Sequence, residues 1–180
     1  IRARRGGGRG VSCRRGIAAF QEERYGLAWR GPTPFPSPLE RALQIAVLTF
    51  DGFNELDSFI AAGILNRMRG KGWKAHITSP SVEVTSMNGV TVRRQQPLEF
   101  AAEADAVVIG SGIKTREIVA DASLMSRIRL DPARQLIAAQ CSGTLVLAKL
   151  GIVGDLPACT DLTTKPWVIE AGVRVLDAPF

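Results

Sequence analysis

Cys141 is the residue best placed to do chemistry. It stands in Ala139-Gln140-Cys141-Ser142-Gly143, between an apolar run, Gln135–Ala139, and a helical stretch, Thr144–Leu150, that ends at Gly151. Strand, nucleophile flanked by small residues two before and two after, then helix is the layout of a nucleophile elbow, with Ala in the first small position. A thiol at a helix N-terminus feels the partial positive charge there, which lowers its pKa from roughly 8.5. Free Cys is also a common small buried hydrophobe, and the spacing alone leaves both readings open. Cys159 has no elbow around it, and Cys13 lies in a Gly- and Arg-rich segment; both read as inert.

Two further loops carry candidate groups. One holds Glu55 and Asp57, the other Gly110-Ser111-Gly112. Asp57 falls three residues after Asn54, where an acid completes a capping box, so its spacing alone suits a structural role. Gly110-x-Gly112 hints at a dinucleotide loop, but Thr115 stands where a third Gly belongs, and the loop follows a late strand. Nucleotide binding is therefore not expected. Three Cys without a CxxC and a single His give neither a zinc pattern nor a disulfide framework. The chain reads as reduced and cytoplasmic.

These loops need a scaffold, and the apolar pattern supplies one. Gln44–Phe50 is an apolar run of strand length; Asn54 opens a helix with Leu56, Ile60, Ile64 and Met68 four apart on one face. Trp73–Ser79 alternates, placing His76 on a polar, solvated side. Val82–Thr85 and Val90–Arg93 flank Asn88-Gly89, a strong hairpin signal. Ala106–Ile109 is a buried-type strand, with helical sequence after its loop to about Leu130. Pro166 suits the first turn of a last helix, Gly172 its end, and Val173–Leu176 a final strand. Strands alternating with helices predict an α/β fold, a mostly parallel sheet between two helical layers. Ligands of such sheets bind beyond the strands' carboxyl ends, where all three loops lie.

Charge divides the chain. Its 180 residues carry a net charge of +6, and residues 1–43 hold nine Arg and three Glu, seven of the 18 Gly and four of the ten Pro. The remainder, 14 basic and 14 acidic groups, is neutral, which argues against a nucleic-acid face on the domain. Residues 1–43 read as a disordered basic extension and residues 44–180 as the folded domain. No apolar run is long enough to span a membrane. The first residue is Ile and no Met precedes Met68, which points to a fragment or an uncertain gene start.

Leu136-Ile137-Ala138-Ala139-Gln140-Cys141-Ser142-Gly143 resembles the nucleophile segment of the ThiJ/PfpI superfamily, relatives of the class I glutamine amidotransferases. Val107–Gly112 resembles its oxyanion loop, and Phe50–Asp57 its first, acid-bearing loop. The similarity runs from about Gln44 to Phe180 and is greatest to the isonitrile hydratase branch and to sensor domains of related regulators. It implies a flavodoxin-like three-layer sandwich, truncated at its C-terminus. It implies Cys141 as nucleophile and Asp57, as a protonated acid, hydrogen-bonded to the sulfur. Backbone N–H groups of Gly112 and Ser142, with Ser111 beside them, would face developing negative charge. A homodimer, a small-molecule substrate, and neither metal nor cofactor are implied as well. Many members place a His about 20 residues after the Cys; here Asp161 occupies that third-residue position, where it would raise the thiol's pKa. The resemblance thus points to a hydratase, a lyase converting an isonitrile to a formamide. The alternatives are a non-catalytic ligand or redox sensor, and a peptidase, deglycase or glyoxalase, which the missing His disfavours.

Overall fold

Alternate side chains of one strand fix where the two helical layers must go. In β1 (Gln44–Leu48), Ile45 and Val47 point to one face and Ala46 and Leu48 to the other, and all four are buried, as in a parallel sheet covered on both sides. The computed structural model describes residues 42–177. After β1 come β2 (Lys74–Ser79), a hairpin of β3 (Glu83–Thr85) and β4 (Thr91–Arg93), then β5 (Gln96–Pro97), β6 (Ala106–Ile109) and β7 (Leu136–Ala139). The main sheet has the order β5-β2-β1-β6-β7, and every pairing in it is parallel. The hairpin is antiparallel and separate.

The helices are α1 (Glu55–Asn66), α2 (Phe100–Glu103), α3 (Thr115–Ala120), α4 (Ala122–Arg127), α5 (Gly143–Lys149) and α6 (Lys165–Glu170). On the Ile45/Val47 face, Ala61, Ala62 and Leu65 of α1 pack against the sheet. On the Ala46/Leu48 face lie Ala101 of α2, Leu124 of α4 and Val146 and Leu147 of α5. α5 is buried from Gly143 to Ala148 because α6 covers its outer side, Val168 meeting Leu145 and Ala148. The α/β class and the mostly parallel sheet are as the sequence predicts.

Several expectations change. Asn54 caps α1, accepting from the Leu56 N–H at 3.1 Å, but the apolar stripe faces outward: Leu56, Ile60 and Ile64 are 67%, 51% and 58% exposed. The inward side carries Ser58, Ala61 and Ala62, small enough to let the helix approach the sheet, and Thr49 Oγ1 donates to Ser58 Oγ at 3.1 Å. The long helix expected before Leu130 is two, because Asp121 ends α3 and caps α4 through the Leu124 N–H. Val173–Leu176 joins no sheet; Val175 makes a single bridge to Ala158. His76 is half-buried rather than solvated. Its ring stands edge-on to Phe100 at 5.4 Å, and Nε2 meets Gln44 Oε1 at 3.2 Å. Burial, then the Lys74 charge, lowers its pKa. The basic extension lies outside the described residues except at its end, where Leu43 is buried beside Ile45 in the core.

Candidate active site

The turn after β7 holds Cys141 at φ 48°, the one non-glycine residue with positive φ among those described. A left-handed conformation at a residue with a Cβ is strained and persists where the surroundings enforce it. Here they do. The Gly143 N–H donates to the Gln140 carbonyl at 2.8 Å. A Cβ on Gly143 would lie 2.6 Å from the Ile109 carbonyl oxygen, so only glycine lets the elbow pass over the end of β6. Thr160 Oγ1 donates to the Cys141 carbonyl at 2.9 Å, and Thr144 Oγ1 to the Cys159 carbonyl at 2.9 Å. These bonds tie the 159–161 segment to the elbow.

They also bring Asp161 to the sulfur. The Cys141 S–H donates to Asp161 Oδ2 at 3.3 Å. Asp161 Oδ1 accepts the N–H groups of Thr163 and Thr164, each at 2.9 Å, at the start of α6. Burial pushes the Asp161 carboxyl up, but bonds from Thr164, Cys141 and Thr163 outweigh it and the pKa is lowered. The sulfur moves the other way. Desolvation raises the Cys141 pKa first, then the hydrogen bond to Asp161 and its charge, and the Ser142 N–H and Ser111 hydroxyl only partly oppose them. The expected lowering of the thiol's pKa by the helix N-terminus is therefore corrected: desolvation, with the adjacent carboxylate second, outweighs the backbone donor.

Asp57 reaches the sulfur by another route. It does not close a capping box, because the Asn54 N–H donates to the Ser111 carbonyl at 2.9 Å. Instead the Ser111 hydroxyl donates to Asp57 Oδ2, and the same hydroxyl neighbours the Cys141 sulfur. Asp161 rather than Asp57 thus takes the direct bond to sulfur, and Ser111 links Asp57 to it. Gly112 differs from expectation too: its N–H donates to Ser142 Oγ at 3.1 Å, and that oxygen meets Thr115 Oγ1 at 2.9 Å. Of the two expected backbone donors, the Ser142 N–H is the one that favours the thiolate of Cys141. Glu55 serves the hairpin, accepting from Ser86 Oγ and from Asn88 Nδ2.

Cys141, Ser111 and Asp161 open into a cavity of about 420 Å³ whose wall includes Met87, Arg116 and Trp167. Arg116 and Trp167 carry no signal in the sequence, since they lie 51 positions apart and neither sits in a motif. A larger cavity, about 510 Å³, lies along β7 and is lined by Cys159, Gln135, Thr144 and otherwise apolar residues, without a charged group. Size favours the second, but acid, hydroxyl and thiol meet only in the first. Among the described residues, no three His, Cys, Asp or Glu are grouped to hold a metal ion.

A parallel sheet with a cysteine held in the left-handed region between strand and helix defines an α/β protein of the nucleophile-elbow type. The sequence model of the DJ-1/PfpI family matches residues 43–180, and the chain belongs to that family. The fold is similar to that of a ThiJ/PfpI family protein from Pseudomonas syringae, with a TM-score of 0.67 and 21% identity over 83% of this chain and 64% of that one. It is also similar to Drosophila melanogaster DJ-1beta, with a TM-score of 0.63 and 22% identity over 77% of this chain and 75% of that one. Schizosaccharomyces pombe DJ-1 matches at a TM-score of 0.60 and 16% identity, over 76% and 77%. The chain thus spans less than two thirds of the Pseudomonas protein's length. A search of the curated proteins finds no match.

Proposed function

We propose that this protein is a cysteine-dependent enzyme that adds water to a small isonitrile, giving an N-substituted formamide. The observation that supports this best is the surroundings of the sulfur: one carboxylate bonded to it, a second linked through Ser111, and no imidazole lining the cavity. A terminal isonitrile carbon must gain both a nucleophile and a proton, and two acids on separate routes suit that need. The Cys141 sulfur bonds to the carbon as its proton passes to Asp161. Asp161 passes that proton to the same carbon, leaving a thioformimidate. Water then adds to that carbon, and Asp57 takes one of its protons through Ser111, whose hydroxyl donates to it, and returns it to the nitrogen. The C–S bond breaks, the hydroxyl proton goes back to sulfur, and the formamide leaves.

One observation favours a second reading, a non-catalytic ligand-sensing domain: partial desolvation and Asp161 raise the thiol's pKa and so favour its protonated form. Turnover separates the two. Loss of the isonitrile and appearance of formamide, followed by NMR, is expected of the enzyme, and no turnover of any isonitrile would sink the hydratase reading. We also propose a homodimer, supported by the exposed Leu56, Ile60 and Ile64 on α1. Light scattering should show a dimer that Ile60→Glu converts to monomer; a monomeric parent protein would end that proposal. Among the described residues no helix is long and apolar enough to cross a membrane. The free thiols of Cys141 and Cys159 suit a reducing, cytoplasmic setting.

A further inference from the structure

The cavity around Cys141 has one basic residue in its wall, Arg116. Its guanidinium lies 4.3 Å from the centroid of the Trp167 ring. Stacking on an indole holds a guanidinium plane while leaving its N–H edge open. No described residue takes that edge: Arg116 forms no hydrogen bond or ion pair, whereas its neighbour Lys114 is paired with Asp51. A solvent-exposed fork of donors thus stands in the same cavity wall as Cys141. Met87, Ile113 and Trp167 supply an apolar part of a wall that also carries Asn54, Thr163 and Thr164, and the volume suits a small molecule.

We propose that Arg116 binds an anionic group, a carboxylate, on the substrate of this site, and so selects acidic small molecules over their neutral analogues. For the hydratase reading, on which this substrate class rests, the substrate is an isonitrile bearing a carboxylate. Planar bidentate pairing is what a guanidinium offers a carboxylate. Asp161 is ionised on the same wall and repels an anion, so the two charges orient the molecule, with its acid end toward Arg116 and its reacting carbon at Cys141.

Two measurements decide it. Turnover of an isocyanoacetate is compared with that of its methyl ester: the acid should have the lower KM, and Arg116→Gln should raise its KM by roughly tenfold while leaving the ester's unchanged. Arg116→Lys, which keeps the charge, should recover part of the loss. The second measurement needs no turnover. At alkaline pH the Cys141 thiolate displaces iodide from either iodoacetate or iodoacetamide, its proton having gone to solvent. The rate ratio of acid to amide at Cys141, normalised to Cys159 in the same sample, should fall by about fivefold in Arg116→Gln. An unchanged ratio in a folded Arg116→Gln protein would overturn the anion site. No isonitrile turnover together with a fallen ratio would overturn the hydratase reading and keep the anion site.

Discussion

Cys141 and Cys159 are both exposed thiols, and each lines a cavity. What separates them is backbone and company. Cys141 sits at φ 48° on the elbow, where the loops after β1, β6 and β7 converge and bring Ser111 and Asp161 with them. Cys159 occupies an ordinary loop beside the edge strand β7, in the larger cavity, among Ile137, Leu147 and Leu156. Exposure and cavity size do not make a site. Convergence of polar groups at the carboxyl ends of parallel strands does.

The comparison breaks most sharply on removing each thiol. Cys141→Ala should lower formamide production by at least about a thousandfold, since it removes the atom that forms the covalent bond. Cys159→Ala should stay within about twofold of the parent. Equal losses would erase the distinction between the two cavities.

Next in size is Asp57→Asn, which keeps the shape but removes the ionisable group. Turnover should fall about 100-fold with little change in melting, because the capping box that would have made Asp57 structural is not formed. Unchanged turnover would take the acid out of the mechanism.

Gly143→Ala tests the backbone half of the contrast. Its Cβ would meet the Ile109 and Gly110 carbonyl oxygens at 2.6 and 2.8 Å, so urea denaturation should show a loss of about 1–3 kcal/mol. Gly151→Ala is spared contacts and loses only its left-handed freedom, with a smaller cost expected.

Asp161→Asn should lower turnover as well, and its subtler effect, on the thiol itself, is read from the pH dependence of alkylation. The carboxylate raises the thiol's pKa by accepting its proton and by its charge. With the charge gone the pKa falls, and the alkylation profile of Cys141 moves to lower pH. That of Cys159, which has no such partner, should not move. A shift of Cys141 to higher pH would show that Asp161 stabilises the thiolate.

Much of this arrangement is readable in the residues. The run Ile45–Leu48 announces a strand buried on both faces, and small residues around Cys141 announce a tight turn into a helix. Asn54 announces its cap. Other features depend on distant partners. The stripe Leu56, Ile60, Ile64 shows that α1 has an apolar face, but only the sheet beneath Ser58, Ala61 and Ala62 decides which face turns inward. Asp161 takes the direct bond to the sulfur because threonines at 144 and 160 fasten the last loop to the elbow, a pairing with no local signature. Arg116 and Trp167 meet only once α3 and α6 flank the same cavity.

The most direct test of the central claim is to look for the covalent intermediate. The protein is mixed with a carbon-13-labelled isonitrile, quenched within a turnover, digested and analysed by mass spectrometry. The account predicts that the peptide containing Cys141 gains the mass of the isonitrile, that the peptide containing Cys159 does not, and that the adduct decays as labelled formamide appears. Formamide released at an undiminished rate by a Cys141→Ala protein, with no adduct in the parent, would contradict it.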